Sequence, residues 1–445
     1  MTNQPTTLAA PVSQEERIII LDGLRGIAIL GILLMNIPGF GLPYPAIFDY
    51  SLNQQSSVNY FFWYVFGPGV FEGSQRAIFS MLFGAGAIIF VSRLEKRAPG
   101  LMPAELFLRR QLWLLVFGLF NAYVLLWFWD ILYSYAICGI ILFAFRRLAP
   151  KYLLIASGIC LLLMTARENR DLYKQKSIIS KGEKVAAIDT TQVRLTDKQK
   201  EQLSAMEGLK ERAKPESKKK NYENDRRAVT GTYAEIYESR SNRAEDGETH
   251  GMFHFLIWDV LLFMFMGMAF FKLGILQGEA KTSVYVWMSI IGLVVGLPLS
   301  YLFVTNDVNH QFNWYEITRS KKFEFYELQR FVHSIGIFGL IMLMYKSGWF
   351  KWLFNLLRPV GQMAFTNYMM QSIMCGIFFY GVGLGYFGKL EIHQLYYVVG
   401  IVWIMEIIWS HIWLRYFRFG PLEWLWRSLT YWKKQPMKRD QSTKS

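Results

Sequence analysis

Charge is scarce in this chain: Asp, Glu, Lys and Arg make up 18% of its 445 residues, against roughly a quarter in soluble proteins. That scarcity excludes an ordinary soluble chain of two or three domains. Cysteine is scarcer still. Cys138, Cys160 and Cys375 each lie inside an apolar stretch, and neither a disulfide framework nor a metal-ligand spacing follows from them. A glycine-rich phosphate loop, a metalloprotease pattern and a nucleophile elbow are all missing. The first sixteen residues lack a basic stretch, and no small-residue cleavage site lies near the first apolar run. A retained first span without a removable leader is therefore expected.

What is abundant is apolar: 53% of the residues, with 35 Phe and 15 Trp, as in an integral membrane protein with aromatic belts. Crossing ~30 Å of hydrocarbon takes about 20 residues. This predicts an all-α fold, a polytopic transmembrane helical bundle of about ten spans. They fall near 18–38, 75–92, 111–128, 131–146, 152–166, 254–274, 283–304, 329–347, 362–382 and 394–416. The third and fourth, joined at "WFWD", form a helical hairpin, and 58–70, with its Gly-Pro-Gly break, reads as an interfacial helix. Lys and Arg gather in 93–110, 146–151, 272–282, 346–358 and the tail, whereas 39–57 has none. The positive-inside bias then puts both termini in the cytoplasm. The net charge of +14 sits beside the spans, where anionic lipid accounts for it, so no nucleic-acid partner is expected.

Four segments follow. Residues 1–166 form an N-terminal transmembrane part of about five spans. Residues 167–250 are a polar extracytoplasmic loop, too polar for a core and read as one or two solvated helices plus flexible chain. Residues 251–432 form a C-terminal transmembrane part of about five spans, ending in the Trp-rich interfacial helix "GPLEWLWRSLTYWKK" with Glu423 and Arg427 paired at i, i+4. Residues 433–445 are a basic cytoplasmic tail.

Polar groups inside the spans ask for an explanation. At 100° per residue, Arg25, Gly26 and Asn36 all fall within about 60° of Asp22, with Asn36 about 21 Å along the axis. A charge at a helix centre costs ~2.5–3.5 kcal/mol on insertion scales, so this stripe must face the bundle interior or a water-filled cavity. Glu72, Arg76 and Ser80 share a face of the second span, and Asp130 occupies the hairpin turn. Arg330 and His333 open the eighth span; Thr366, Asn367, Gln371 and Ser372 lie in the ninth, Glu406 and His411 in the last. Each has a plain structural reading: an interfacial ion pair for Asp22 and Arg25, a helix-face pair for Glu72 and Arg76, a cap for Asp130, packing for the histidines. Together they make a polar interior through the bilayer, the mark of a pathway or a site.

Several long motifs occur in order: "LDGLRGIAILGILLMN", "FSMLFGAG", "RRQLWLLVFGLFNAYVLLWFWDILYSYAI", "RPVGQMAFTNYMMQS", "FFYGVGLGYFG" and "GPLEWLWRSLTY". They resemble the YeiB-like family, the domain of unknown function numbered 418, along nearly the whole chain. That family is similar in turn to transmembrane acyltransferases, among them the acyltransferase family 3 proteins and the lysosomal heparan-glucosaminide acetyltransferase. Those proteins pass an acyl group from cytoplasmic acyl-CoA to a hydroxyl or amine on the far side. The resemblance implies an enzyme of the cytoplasmic (inner) membrane, with acyl-CoA as donor substrate, an unknown extracytoplasmic acceptor, and no metal; it leaves oligomerisation open.

Asp22, Arg25 and Asn36 match the Asp, the Arg three on and the His or Asn fourteen on in the first helix of those relatives. Cofactor binding then falls to Arg25 and the basic inner loops, at a cationic inner mouth for the CoA phosphates, with Asp22 orienting Arg25. The catalytic expectations are His333, Asn36, Glu72 and Asp130. Asn36 would polarise the carbonyl, and one of the others would serve as base, His333 first because imidazole titrates near neutral pH. Asn36 and Asn121 stand where relatives carry a histidine. Arg76, Ser80, Asn121, Arg330, Asn367 and Gln371 are expected to line the cavity. Two other classes compete: a transporter of a small or amphipathic solute, which a polar stripe also suits though no second half repeats the first, and a non-catalytic membrane assembly component.

Overall fold

In a computed structural model the described residues are 19–97, 100–189 and 194–439. The polar N-terminal stretch and the end of the basic tail lie outside them. In chain order the first helices are α1 (Ile19–Gly41), α2 (Tyr44–Phe48), α3 (Ser57–Tyr64), α4 (Ser74–Arg97), α5 (Met102–Tyr123), α6 (Leu132–Phe145) and α7 (Pro150–Ala186). The polar segment adds α8 (Asp197–Arg212), α9 (Pro215–Val229) and α10 (Tyr233–Asp246). Then follow α11 (Ile257–Lys272), α12 (Thr282–Asn309), α13 (Trp314–Ser320), α14 (Tyr326–Ser347), α15 (Lys351–Gln362), α16 (Ala364–Phe379), α17 (Ile392–Tyr416) and α18 (Pro421–Tyr431). Below, the near end of the bundle is the one where α1 begins.

Seven helical stretches among the described residues are long and apolar enough to cross a membrane, those containing α1, α4, α7, α11, α12, α14 and α17. The other three expected spans correspond to α5, α6 and α16. The last two have only 14 and 16 residues, about 21 and 24 Å at 1.5 Å per residue, and α5 carries Glu105, Arg109 and Arg110 in its first turns. Between α5 and α6 the chain folds back without helix, burying Leu126, Trp127 and Phe128. Irregular backbone is tolerated at membrane depth only where protein covers it or it lines a cavity.

Long helices pack closely where small residues meet. A Cβ built at Gly84 of α4 would lie 2.2 Å from the Met264 carbonyl oxygen, and one at Gly267 of α11 would lie 2.0 Å from that of Met81. Backbones this close gain dispersion contacts that lipid tails cannot supply.

The polar segment differs from its prediction of one or two solvated helices and flexible chain. It has three helices and a long extension of α7, and it is docked. Val229, Ile236 and Ala244 are fully buried in the main core, while Ile179, Met206, Ala213 and Tyr315 form a small core of their own. Few apolar residues suffice because the bundle supplies the rest of the surface to bury them. Backbone and side-chain bonds tie it down: Gly381 N–H donates to the Val229 carbonyl at 3.0 Å, and Tyr233 Oη to that of Val124 at 3.1 Å. Arg240 of α10 is fully buried, its guanidinium 4.7, 5.7 and 5.2 Å from the ring centroids of Phe128, Tyr380 and Phe387. Three aromatic faces take the place of water around that cation.

Candidate functional site

Beneath the α5–α6 hairpin lies a cavity of about 320 Å³, walled by α1, α4, α5, α6, the end of α15, α16 and α18. Its near end carries four arginines, Arg25, Arg93, Arg110 and Arg427, and two carboxylates, Asp22 and Glu423. Phe79, Leu82, Phe83, Phe107 and Leu114 make the middle apolar, and Tyr135 and Tyr368 stand at the hairpin end. Gln111 is the one amide set into the α5 side of that apolar wall. It is buried, and its Oε1 has no hydrogen-bond partner among the described residues.

The near end is assembled from distant sequence. On α1, Arg25 Nη1 donates to Asp22 Oδ1 at 2.9 Å, one helical turn away. Gly86 of α4 leaves room opposite: a Cβ there would lie 3.7 Å from Arg25 Nη2. Across the cavity, Glu423 of α18 accepts from Phe365 N–H at 2.8 Å and Thr366 N–H at 3.0 Å through Oε1, and from Thr366 Oγ1 at 2.6 Å through Oε2. A helix start leaves its first N–H groups unsatisfied, and here a residue of another helix caps α16. Burial raises the Glu423 carboxyl above its ordinary range, against those hydrogen bonds. Trp426 Nε1 donates to the Arg110 carbonyl at 2.8 Å, and the Arg110 guanidinium stacks 3.5 Å from the Trp426 ring centroid. Arg110 lies just outside the apolar stretch of α5. Burial, then the charge of Arg427 and, more weakly, that of Arg25, pull its guanidinium down to about 9. Cations crowded so closely favour an anionic guest.

The hairpin end is a hydrogen-bonded acid behind a phenol. Tyr368 Oη donates to Asp130 Oδ1 at 3.2 Å and accepts from Ile131 N–H at 3.2 Å. Asn121 Nδ2 donates to the same Oδ1 at 2.8 Å, and Tyr133 N–H to Oδ2 at 2.9 Å. Asp130 thus caps α6 with one oxygen and meets Tyr368 with the other. Its depth follows from α5. A Cβ at Gly118 would lie 2.8 Å from Asp130 Oδ2, and Gly118 is eight residues, about 12 Å, along the helix from Arg110. Asp130 is buried and therefore lies below the hairpin tip. Tyr135 pairs with Ser80, Oη to Oγ at 2.6 Å.

The other predicted residues are placed elsewhere. Asn36 lies on α1 beyond the cavity wall, because the wall follows only the first turns of that helix. Glu72 accepts from Tyr326 Oη at 2.7 Å. Arg76 pairs with Asp259 at 3.1 Å, and Arg330 pairs with Asp259 and, at 2.7 Å, with Glu327, all in the packing of α4, α11 and α14. His333 is fully buried against Gly296 of α12, and neither ring nitrogen has a partner among the described residues. Asn367 bonds the Val360 carbonyl, Ser410 and Trp409, and Gln371 the Ile29 carbonyl and Glu406, which holds α16 to α1, α15 and α17. Of the predicted residues, Asp22 and Arg25 line the cavity directly, Asp130 and Asn121 reach it through Tyr368, and Ser80 through Tyr135. Arg93 and Arg110 belong to the basic loop 93–110 expected at the inner mouth, α18 was expected first as an anchor, and Gln111, Tyr135 and Tyr368 went unpredicted as wall. The signal available for α18 was "GPLEWLWRSLTY", which reads equally well as a surface anchor.

Residues 270–433 match the family profile described as "Protein of unknown function (DUF418)". "Uncharacterized protein YxaH" of Bacillus subtilis (strain 168) is 29% identical over 96% of this chain and 97% of its own length. "Uncharacterized protein YeiB" of Escherichia coli (strain K12) is 28% identical over 93% and 96%. The "Uncharacterized 39.9 kDa protein in amylase 3'region" of Bacillus acidopullulyticus is 26% identical over 96% and 97%. No solved structure matches. The matched stretch holds α16, α18 and the Glu423–Thr366 junction between them, and the relatives extend the likeness over α1 and α4 to α6, which complete the cavity. The chain is a multi-pass membrane protein, similar over nearly its whole length to YeiB-like proteins and carrying the DUF418 match in its C-terminal part.

Proposed function

We propose that this protein is a transmembrane acyltransferase of the cytoplasmic membrane. It admits acyl-CoA from the cytoplasm at the near end of the cavity and delivers the acyl group toward an acceptor on the other side. One observation carries the reading: a single cavity runs from four arginines, through an apolar middle, to buried hydroxyl groups. Arginine matches phosphate oxygens with paired N–H donors, and the apolar stretch suits the slender arm and acyl chain of a thioester. Asp22 keeps Arg25 directed along the wall, and Arg110, flat on Trp426, offers a second donor set. The positive-inside bias of the sequence puts this end in the cytoplasm, where acyl-CoA is made.

Arg25→Ala and Arg110→Ala should each weaken acetyl-CoA binding by about tenfold to a hundredfold, the worth of one hydrogen bond to a charged group. Stabilisation of the purified protein by acetyl-CoA in a thermal melt is the measurement. If wild type shows neither stabilisation nor thiol release with acetyl-CoA or longer acyl-CoAs, the reading fails. Substrate flux into liposomes without any acyl donor would favour a carrier instead.

A further inference from the structure

We propose that Tyr368 is the catalytic residue at the hairpin end of the cavity and that Asp130, oriented by Asn121, is the positioning residue that takes and returns its proton. The assignment rests on the acyltransferase reading above. Two tyrosines line the hairpin end, Tyr135 and Tyr368. Tyr135 is paired with neutral groups, Ser80 Oγ at 2.6 Å and the Arg76 carbonyl at 3.3 Å. Only Tyr368 has a carboxylate bonded behind it. Asp130 is not itself on the wall, so Tyr368 is its route to whatever occupies the cavity. Its two oxygens are already held by Asn121 and Tyr133 N–H, which fixes the carboxylate while leaving Oδ1 directed at the phenol. The Ile131 N–H that points at Tyr368 Oη stabilises charge developing on that oxygen when its proton leaves.

The site also measures the distance a thioester must reach. The phenol sits at the depth of Asp130, about 12 Å along α5 from Arg110. At that depth the acceptor oxygen bonds to the thioester carbonyl carbon and the carbon–sulfur bond breaks. The acceptor's proton passes to Tyr368 Oη as the tyrosine's own proton moves to Asp130. It returns by the same route to the departing sulfur, so CoA leaves as the thiol and both side chains end as they began. The titratable groups facing Asp130 are Tyr368 from α16 and Glu248 from the helical stretch Gly247–Leu256 that leads into α11, and Glu248 itself accepts from Tyr123 Oη at 3.0 Å.

The test uses the full chain in nanodiscs with acetyl-CoA as donor and water as acceptor, reading thiol release and CoA-dependent thermal stabilisation side by side. Tyr368→Phe keeps the ring, so CoA should stabilise it as it does wild type while thiol release falls by about a hundredfold, within the range of one proton-transfer group. Asp130→Asn should lower kcat with KM within about threefold, and should flatten the pH dependence of kcat, which a merely structural role would leave in place. Thiol release from Tyr368→Phe within threefold of wild type overturns the assignment while leaving the acyltransferase reading intact. Should Tyr368→Phe fail to fold, an unchanged pH profile in Asp130→Asn does the same. A wild type that CoA does not stabilise and that releases no thiol brings down the reading beneath it.

Discussion

Asp259→Ala should cost this protein about 3–5 kcal/mol of stability, the penalty for removing one partner of a buried ion pair. Asp259, on α11, is the shared acceptor of Arg330 from α14 and Arg76 from α4, with Glu327 as the second acid on Arg330. Asp259, Arg330 and Glu327 each have 1% of their surface exposed. Arginine cannot shed its proton to escape, so the variant keeps two cations, Arg330 fully buried and Arg76 partly exposed, facing one remaining carboxylate. Asp259→Asn keeps the volume and one acceptor oxygen and should lose less. Replacing Asp259, Glu327, Arg76 and Arg330 together by apolar residues of like size should come close to wild-type stability, because the desolvation cost of all four ions disappears with their attraction. Thermal melts in one detergent rank the three. An Asp259→Ala midpoint equal to that of wild type would mean the network is hydrated and carries no such load.

Much of this architecture is legible in the sequence, and the failures have a common cause. Apolar runs of sufficient length gave the long helices, since a span is a local property of composition. The inward face of Asp22 and Arg25 followed from helical rotation alone. Rotation says nothing of how far a cavity extends along the helix, so Asn36, on the same stripe but about 21 Å further on, was carried along with them. Asp130 is buried because the α5–α6 turn folds back beneath its own tip, which depends on what covers Trp127 and Phe128. The bond from Thr366 to Glu423 joins residues 57 apart, and nothing in either motif names the other. Tyr368 is one of 24 tyrosines, and only the coordinates put an acid behind it. Arg330 and Asn367 drew attention for the right reason, since polar groups in a span need partners. Their partners are other helices.

Gly361→Ala should rank with the most damaging single methyl groups in the chain. A Cβ at Gly361 would lie 1.8 Å from the Asp22 carbonyl oxygen and 2.6 Å from Gly26 N, and one at Gly26 would lie 2.2 Å from the Leu357 carbonyl oxygen. Here α15 and α1 touch backbone to backbone, with no flexible side chain to yield. The added carbon must push the helices apart, at about 3 kcal/mol, the upper part of the usual cost of overpacking. Gly400 of α17 supplies the comparison, since nothing lies within 4 Å of a Cβ there, and Gly400→Ala should stay within about 0.5 kcal/mol of wild type. Stability is only half of the expected effect. The crossing falls at Asp22, which orients Arg25, and Gly361 lies three residues before Ala364, where α16 starts toward Tyr368. Shifting α1 against α15 therefore moves the cationic end of the cavity relative to its hydroxyl end, and Gly361→Ala should lose stabilisation by acetyl-CoA even at temperatures where it remains folded. Equal behaviour of the two alanine variants would show that α15 can slide on α1, and the near end of the cavity would then owe its shape to α18 instead.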